Sequence, residues 1–136
     1  MFLKNYILFI FFSLLFFSCV STNKVLKSLN GEWLVTSIDN NEIKTTQIPT
    51  IKFNINSNQI SGTDGCNNYR GSIEKIDKDA IQFSRISKTK KGCVNKMEIP
   101  KKFSKAMRNA RSFSVNKNII LIYNEDKTEI LRATKN

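Results

Sequence analysis

The fold of this chain is decided by one glycine-rich stretch, Ser61-Gly62-Thr63-Asp64-Gly65-Cys66-Asn67-Asn68-Tyr69-Arg70-Gly71. Glycine adopts positive φ angles that other residues avoid, and asparagine tolerates such angles better than most residues do. Runs of alternating apolar and polar residues flank the stretch on both sides. It therefore predicts a tight turn or bulge that leads into a β-strand, with Cys66 at the apex.

The segments before this turn have the composition of β-strands. β-branched and aromatic residues fill Leu29–Ile38, where we expect Trp33 to pack in the core rather than to stack on a ligand. A polar loop is predicted over Asp39–Gln47. Apolar and polar residues then alternate over residues 51–56, which is typical of a half-buried strand, and Ile60 begins the returning strand.

The segments after the turn change from the strand period to the helix period and back. A strand is predicted over residues 81–86, with a bulge where the alternation slips between Phe83 and Ile86. From Phe103 to Ala110 the apolar residues recur at the spacing of one helix face, after a proline that suits a first turn. Three closing strands are predicted over Ser112–Asn116, Asn118–Tyr123 and Thr128–Thr134.

The first eighteen residues have the features of a secretory signal peptide. A short basic segment precedes an almost purely apolar run from Tyr6 to Phe17, which is short for a membrane span. Residues 15–19 resemble a bacterial lipobox, in which cleavage precedes a cysteine that becomes lipidated. We therefore expect removal of residues 1–18 and lipid attachment at Cys19; the alternative is an uncleaved anchor helix. Residues 19–27 are predicted to tether the lipid to a single domain over residues 28–134.

The composition limits the chemistry that the chain offers. It contains no histidine, which is the commonest general base and the commonest metal ligand. No Ser-His-Asp or Cys-His set is therefore available, and neither paired carboxylates nor a phosphate-binding glycine loop has a diagnostic spacing. We predict no catalytic residue, no metal site and no cofactor, and we interpret the protein as non-enzymatic.

Three groups of residues carry a family resemblance. Leu29-x-Gly31-x-Trp33 comes first, and Thr89-x-x-x-Cys93 precedes a helix over residues 97–110. In this order, with the turn motif between them, they resemble the META domain, the heat-shock-protein HslJ-like family of small envelope proteins. Residues 90–92 depart from the family pattern, because they make this segment more basic and more flexible. The turn motif consists of Gly62, Gly65, Asn67, Tyr69 and Gly71.

The resemblance implies an α+β, mostly β fold: a curled antiparallel sheet, or pseudo-barrel, of about seven or eight strands with one helix packed on it. It also implies that Cys66 and Cys93 are paired. An exported domain with two cysteines besides the lipidated one is expected to join them, and a redox dithiol and free thiols are the alternatives. The resemblance implies no established reaction, only a loose link to envelope stress or fitness.

The polar side chains of the turn admit two interpretations. Asp64, Asn67, Asn68, Tyr69 and Arg70 are crowded together, and such clusters in loops often bind ligands. Alternatively, Asp64 and Asn67 accept hydrogen bonds from local backbone N–H groups and only stabilise the turn.

The segment over residues 85–111 is strongly basic and contains one acid, Glu98. Lys101, Lys105 and Arg108 are predicted to share one face of the helix. This face is either a solvated surface of a lysine-rich protein or a patch that lies against anionic lipid headgroups. Nucleic acid is not an expected partner, because the predicted compartment argues against it and no recognition motif accompanies the charges.

Together these features predict a lipid-anchored, monomeric bacterial envelope protein that binds a membrane surface or an envelope protein partner. We expect it on the outer membrane, facing the periplasm. The alternative is a small inhibitor of a periplasmic or host hydrolase. The formal charge of +11 argues against basic hydrolases as targets, because complementary charge favours association.

Overall fold

The computed structural model describes residues 22–93 and 98–136, which form two helices and nine strands within those ranges. The helices are α1 (Thr22–Leu29) and α2 (Glu98–Asn109). The strands are β1 (Gly31–Ile38), β2 (Asn41–Glu42), β3 (Thr50–Asn54), β4 (Gln59–Thr63), β5 (Asn68–Ile76), β6 (Ile81–Lys88), β7 (Ser112–Asn116), β8 (Ile119–Tyr123) and β9 (Glu129–Lys135).

The strands form one curled antiparallel sheet in the order β6-β5-β4-β3-β1-β9-β8-β7, with β2 paired to the end of β1. The sheet curls until its two outer strands meet at their starts. There the Ile81 N–H donates to Arg111 O at 3.0 Å, and the Phe113 N–H donates to Asp79 O at 2.8 Å. Helix α2 packs against β6 and lies close to β1 and β9, so it covers the inner face of the sheet. The predicted fold class is confirmed.

The core lies between the curled sheet and α2. Alternate residues of β1 and β3, such as Trp33 and Phe53, point into it and are almost fully buried. The predicted apolar face of α2 is also buried, from Phe103 to Ala110. Among the described residues, all members of the core cluster fall between Leu29 and Ala133, so the chain from Thr22 onwards contains its own core.

Strand β6 contains the predicted bulge. Arg70 of β5 pairs with Ser87, whereas Ser72 pairs with Ser84, so three steps along β6 match two steps along β5. Arg85 lies at this point with a φ of 53°. The extra residue therefore falls where the apolar alternation slips.

Residues 22–29, most of which were predicted to belong to the tether over residues 19–27, form α1. Leu29 is fully buried, and Val25 and Leu26 pack against the core. The three apolar side chains share one side of the helix although its other residues are polar, and this amphipathic pattern was too short to stand out in the sequence.

The C-terminal end of α1 is fixed to the sheet by side chains from β1 and β9. The Trp33 indole N–H donates to Leu29 O at 2.8 Å, and the Lys135 ammonium donates to Ser28 O at 2.7 Å. The Lys135 Nζ also lies 5.3 Å from the centre of the Trp33 ring. These contacts satisfy carbonyls that a helix end leaves without intrahelical partners.

The polar loop predicted over Asp39–Gln47 contains the short strand β2, because the chain turns back on β1 and pairs Ser37 with Glu42. Residues 1–21 and 94–97 lie outside the described ranges. The signal peptide, Cys19 and the first predicted helical residue at position 97 therefore stay predictions.

Candidate functional site

The glycine-rich turn joins β4 to β5, and close backbone packing requires its glycines. Gly62 has a φ of 154°, and a Cβ there would overlap the backbone oxygen of Thr50. Gly65 has a φ of 93°, an angle that residues with a Cβ rarely adopt. Asn67 and Asn68 do not have positive φ, so the sequence argument was wrong about what these two residues contribute.

Asp64 lies buried at the centre of the turn. Its Oδ1 accepts hydrogen bonds from the backbone N–H groups of Cys66 at 3.0 Å and Asn67 at 2.7 Å. Its Oδ2 pairs with the Lys88 ammonium of β6 at 2.7 Å; the Asp64 side chain is 1% exposed and the Lys88 side chain 29%. Lys88 Nζ also contacts the Ser104 hydroxyl of α2. The carboxylate thus has partners on both oxygens and connects the turn to β6 and α2.

Asn67 and the cysteine pair hold the chain that follows β6. The Asn67 Oδ1 accepts hydrogen bonds from the Lys91 N–H at 2.7 Å and from the Thr89 hydroxyl at 3.2 Å. The structure joins Cys66 to Cys93, with their Cα atoms 6.1 Å apart, a separation that suits a disulfide. Residues 90–92, which we predicted to be flexible, are therefore fixed to the turn by the hydrogen bonds of Asn67 and by the cysteine pair.

Tyr69 and Gly71 attach the end of the turn to the core. The Tyr69 hydroxyl donates to Thr50 O at 2.8 Å, and its ring centre lies 5.5 Å from that of Phe103 in α2. Burial, and next the nearby charge of Asp64, raise the pKa of Tyr69 well above its ordinary value, so the hydroxyl stays a donor. A Cβ at Gly71 would press on the Ile86 side chain at 2.9 Å.

These contacts favour the structural interpretation of the turn, because its buried polar groups already have protein partners. Within the described ranges, no group of three or more potential ligand side chains is arranged to hold a metal ion. Lys88 and Ser104 complete the network and were not singled out from the sequence. A cation stabilises a buried aspartate, but the sequence offers many lysines and nothing that selects Lys88.

Helix α2 carries what we call the basic stripe, formed by Lys101, Lys105 and Arg108. All three residues are exposed, as predicted, on the side opposite the buried face of the helix. None of them forms an ion pair within the part of the chain that the structure describes. The neighbouring Lys102 does, with Glu98 at 2.7 Å, and this hydrogen bond lowers the pKa of Glu98.

A groove of about 290 Å³ separates the basic stripe from the glycine-rich turn. Lys101 and Arg108 line one wall, and Asp64 and Asn67 line the other. Because Asp64 and Asn67 already have partners within the protein, the cations are the groups that this groove offers to a ligand.

Cys19, the predicted lipid attachment site, lies outside the described ranges. None of the helices that the structure describes has the length and apolar character needed to cross a membrane.

Comparisons with known proteins agree with this architecture. The sequence pattern of the META domain matches residues 25–136. No curated protein matches the sequence significantly. Among solved structures, the fold is similar to an NMR structure of a protein from Burkholderia xenovorans, with 15% identity, a TM-score of 0.65, and coverage of 83% of this chain and 87% of that one.

Two further structures share the fold. One is an NMR structure of a protein with 16% identity and a TM-score of 0.63, covering 81% of this chain and 93% of that one. The other is a crystal structure of a DUF4847 family protein from Bacteroides vulgatus ATCC 8482, with 18% identity, a TM-score of 0.57, and coverage of 79% and 94%. At such identities the structures show the fold alone. The sequence match spans most of the chain, its glycine-rich turn and its helix α2, and the chain therefore belongs to the META domain family.

Proposed function

We propose that this chain is a non-enzymatic, lipid-anchored domain of the bacterial cell envelope, and that its basic stripe contacts an anionic membrane surface. The observation that carries the proposal is the exposure of Lys101, Lys105 and Arg108 without an ion-pair partner among the described residues. Cations that no protein carboxylate neutralises are available to an external anion.

The geometry of α2 favours a contact made by charge alone. Lys101, Lys105 and Arg108 occupy positions i, i+4 and i+7, which places them along about 10 Å of one helix face. The opposite face, with Phe103 and Met107, is buried in the core and does not insert into lipid. Binding should therefore be weak and sensitive to salt, because exposed charges are screened beyond about 8 Å at physiological ionic strength.

The predicted lipid would make such a weak contact effective. Three residue steps separate Cys19 from Thr22, where α1 begins, and an extended chain of that length spans at most about 11 Å. Since α1 is docked on the sheet, the domain would stay close to its own membrane at high effective concentration.

The hydrogen bonding of the glycine-rich turn supports the proposal that the protein is not an enzyme. Its acid, Asp64, is buried and has partners on both carboxylate oxygens. The sequence contains no histidine to act as a general base. A general base needs an oxygen that is not already engaged, and both oxygens of this carboxylate are occupied by protein donors.

The membrane contact is tested with the soluble chain from residue 20 onwards and sedimentation with vesicles. We expect binding to vesicles that contain anionic phosphatidylglycerol, no binding to pure phosphatidylcholine, and a steep loss of binding with added salt. Changing the stripe to glutamate (Lys101→Glu, Lys105→Glu, Arg108→Glu) should abolish binding. The matched control changes Lys75, Lys78 and Lys117, which are exposed elsewhere, to glutamate and gives the same net charge.

The control separates a specific stripe from a general effect of charge. Equal loss of binding in the two triple variants would show that net charge alone is responsible. A wild-type domain that ignores anionic vesicles at low salt would show that the stripe is only a solvated helix face. The anchor is tested separately, by the intact mass of the membrane fraction: a soluble mature form or a persistent precursor contradicts lipidation at Cys19.

A further inference from the structure

The outer face of strands β3 to β6 carries a second groove, of about 450 Å³, which we call the outer groove. It shares no residue with the basic stripe. Its lining combines cationic side chains with hydroxyl groups, namely Lys52, Arg70, Arg85, Ser61, Ser72 and Ser87.

The sheet register brings these residues together from four strands. Lys52 pairs with Ser61, Ser61 with Arg70, and Arg70 with Ser87, so cations and serines alternate directly across the sheet. Neighbouring strands lie about 4.8 Å apart, which puts the Lys52 and Arg70 backbones about 10 Å apart with a hydroxyl between them. Because the serine side chains are small, they leave an open space between the long side chains of Lys52 and Arg70.

The cations of the outer groove lack ion-pair partners among the described residues. Within the described ranges, neither Lys52, Arg70 nor Arg85 forms an ion pair. Glu32 is the cross-strand neighbour of Lys52, but its carboxylate accepts a hydrogen bond from Asn136 at 3.3 Å. Lys52 is therefore the most nearly neutralised of the three, and Arg70 and Arg85 are the principal charges of the groove.

Arg85 borders both the outer groove and a cavity beside α2, and its backbone conformation is strained. Arg85 has a positive φ although it lies inside a strand. The other described residues with positive φ, apart from glycines, lie in the connections between strands. A left-handed conformation costs an arginine about 1–2 kcal/mol relative to glycine. Bulges of this kind re-aim a side chain and are over-represented beside binding and active sites. Stability alone would favour glycine or asparagine here, so the position is better explained by what the guanidinium does.

We propose that the outer groove binds a ligand that carries a phosphate ester flanked by hydroxyl groups. Two guanidinium groups offer the forked donors that match phosphate oxygens, and the serine hydroxyls both donate to and accept from neighbouring alcohol groups. The residues that line the groove include no aromatic side chain, so the groove offers no aromatic platform for a ring. A soluble phosphorylated metabolite and the headgroup of a phosphoglycerolipid share this chemistry.

The test uses amide chemical shifts of the soluble chain from residue 20 onwards, titrated with glycerol 3-phosphate at low salt. We expect saturable shifts in β4, β5 and β6 around Ser61, Arg70 and Ser87. Acetate at equal ionic strength should not produce them. Arg70→Gln should weaken binding at least tenfold, because a charge-assisted hydrogen bond is lost. Arg85→Asn should weaken binding to a similar degree and leave the melting temperature unchanged or higher, because asparagine tolerates the left-handed backbone.

The outcomes separate the proposal from its alternatives. Absence of shifts at 10 mM glycerol 3-phosphate, equal shifts with acetate, or unchanged affinity in both arginine variants would overturn it. A second arm uses phosphatidylglycerol vesicles with the basic stripe neutralised. Residual binding that Arg70→Gln removes identifies the lipid headgroup as the source of the phosphate, whereas binding of the soluble ester alone identifies a metabolite. Lys78→Gln, an exposed position outside both the groove and the basic stripe, is the control and should leave glycerol 3-phosphate binding intact.

Discussion

The glycine-rich turn and the basic stripe border the same groove, yet their polar side chains differ in burial and in whether they have partners within the protein. In the turn, Asp64 and Asn67 are buried, and protein groups occupy their oxygens. On the stripe, Lys101 and Lys105 are exposed and form no ion pair among the described residues. A polar group that is already satisfied stabilises the fold, and one that is not is available to a partner. The difference separates residues that stabilise the fold from residues whose charge is open to solvent, which the crowding of polar residues in the sequence does not do.

The largest effect is expected in the turn from Gly62→Ala. The new Cβ would overlap the backbone oxygen of Thr50, which is held by the pairing of Thr50 with Leu34 and by the Tyr69 hydroxyl. We expect a loss of about 3 kcal/mol or more in the free energy of unfolding, measured by urea denaturation. Gly92→Ala is the matched control, because a Cβ there meets nothing within 4 Å. Similar stability of the two variants would show that the turn tolerates side chains at its glycines.

The next effect should come from Asp64→Ala, which leaves two N–H groups and the Lys88 ammonium without their partner. A buried pair that loses one member costs about 3 kcal/mol, somewhat less here because Lys88 is partly exposed. Asp64→Asn keeps an acceptor for the two N–H groups and should lose only part of this stability. Thermal or urea unfolding measures the stability of both variants. If Asp64→Ala were as stable as the wild type, the buried network would not contribute to stability.

A smaller loss is expected when Cys66 and Cys93 are both changed to serine. The pair closes a loop with a sequence separation of 27, and such a cross-link stabilises by about 3 kcal/mol in the chain-entropy model, often less in practice. The sheet and α2 should persist, because the core does not depend on the cysteines. Circular dichroism should show the same fold with a lower melting temperature. Equal melting of the wild type under oxidising and reducing conditions would argue against the bond.

The smallest effect on stability, and the sharpest contrast with the turn, is expected on the basic stripe. Changing Lys101, Lys105 and Arg108 to glutamine removes exposed charges that contact no carboxylate, and glutamine is a good helix former. The melting temperature should change by less than about 2 °C. A loss comparable to that of Asp64→Ala would mean that the stripe holds the fold together and is not free to meet a partner.

Periodic features were predictable from the sequence, and features that depend on register were not. The apolar face from Phe103 to Ala110 and the bulge near Arg85 follow from local spacing, which the structure reproduces. Helix α1 was missed because its apolar face consists of three residues. The outer groove was missed because strand pairing, not sequence proximity, brings Lys52 beside Ser61 and Ser61 beside Arg70. Likewise, the partner of Asp64 lies 24 residues away.

The position of β1 has a consequence for how the chain reaches its native state. β1 lies between β3 and β9, and Trp33 pairs with Lys135 from the far end of the sequence. Contacts between residues so distant along the chain form late and slow the folding of small domains. A nascent chain that lacks β9 leaves one edge of β1 unpaired and the end of α1 without Lys135. We therefore expect the domain to fold cooperatively only once its last strand has been synthesised, and to remain incompletely folded until then.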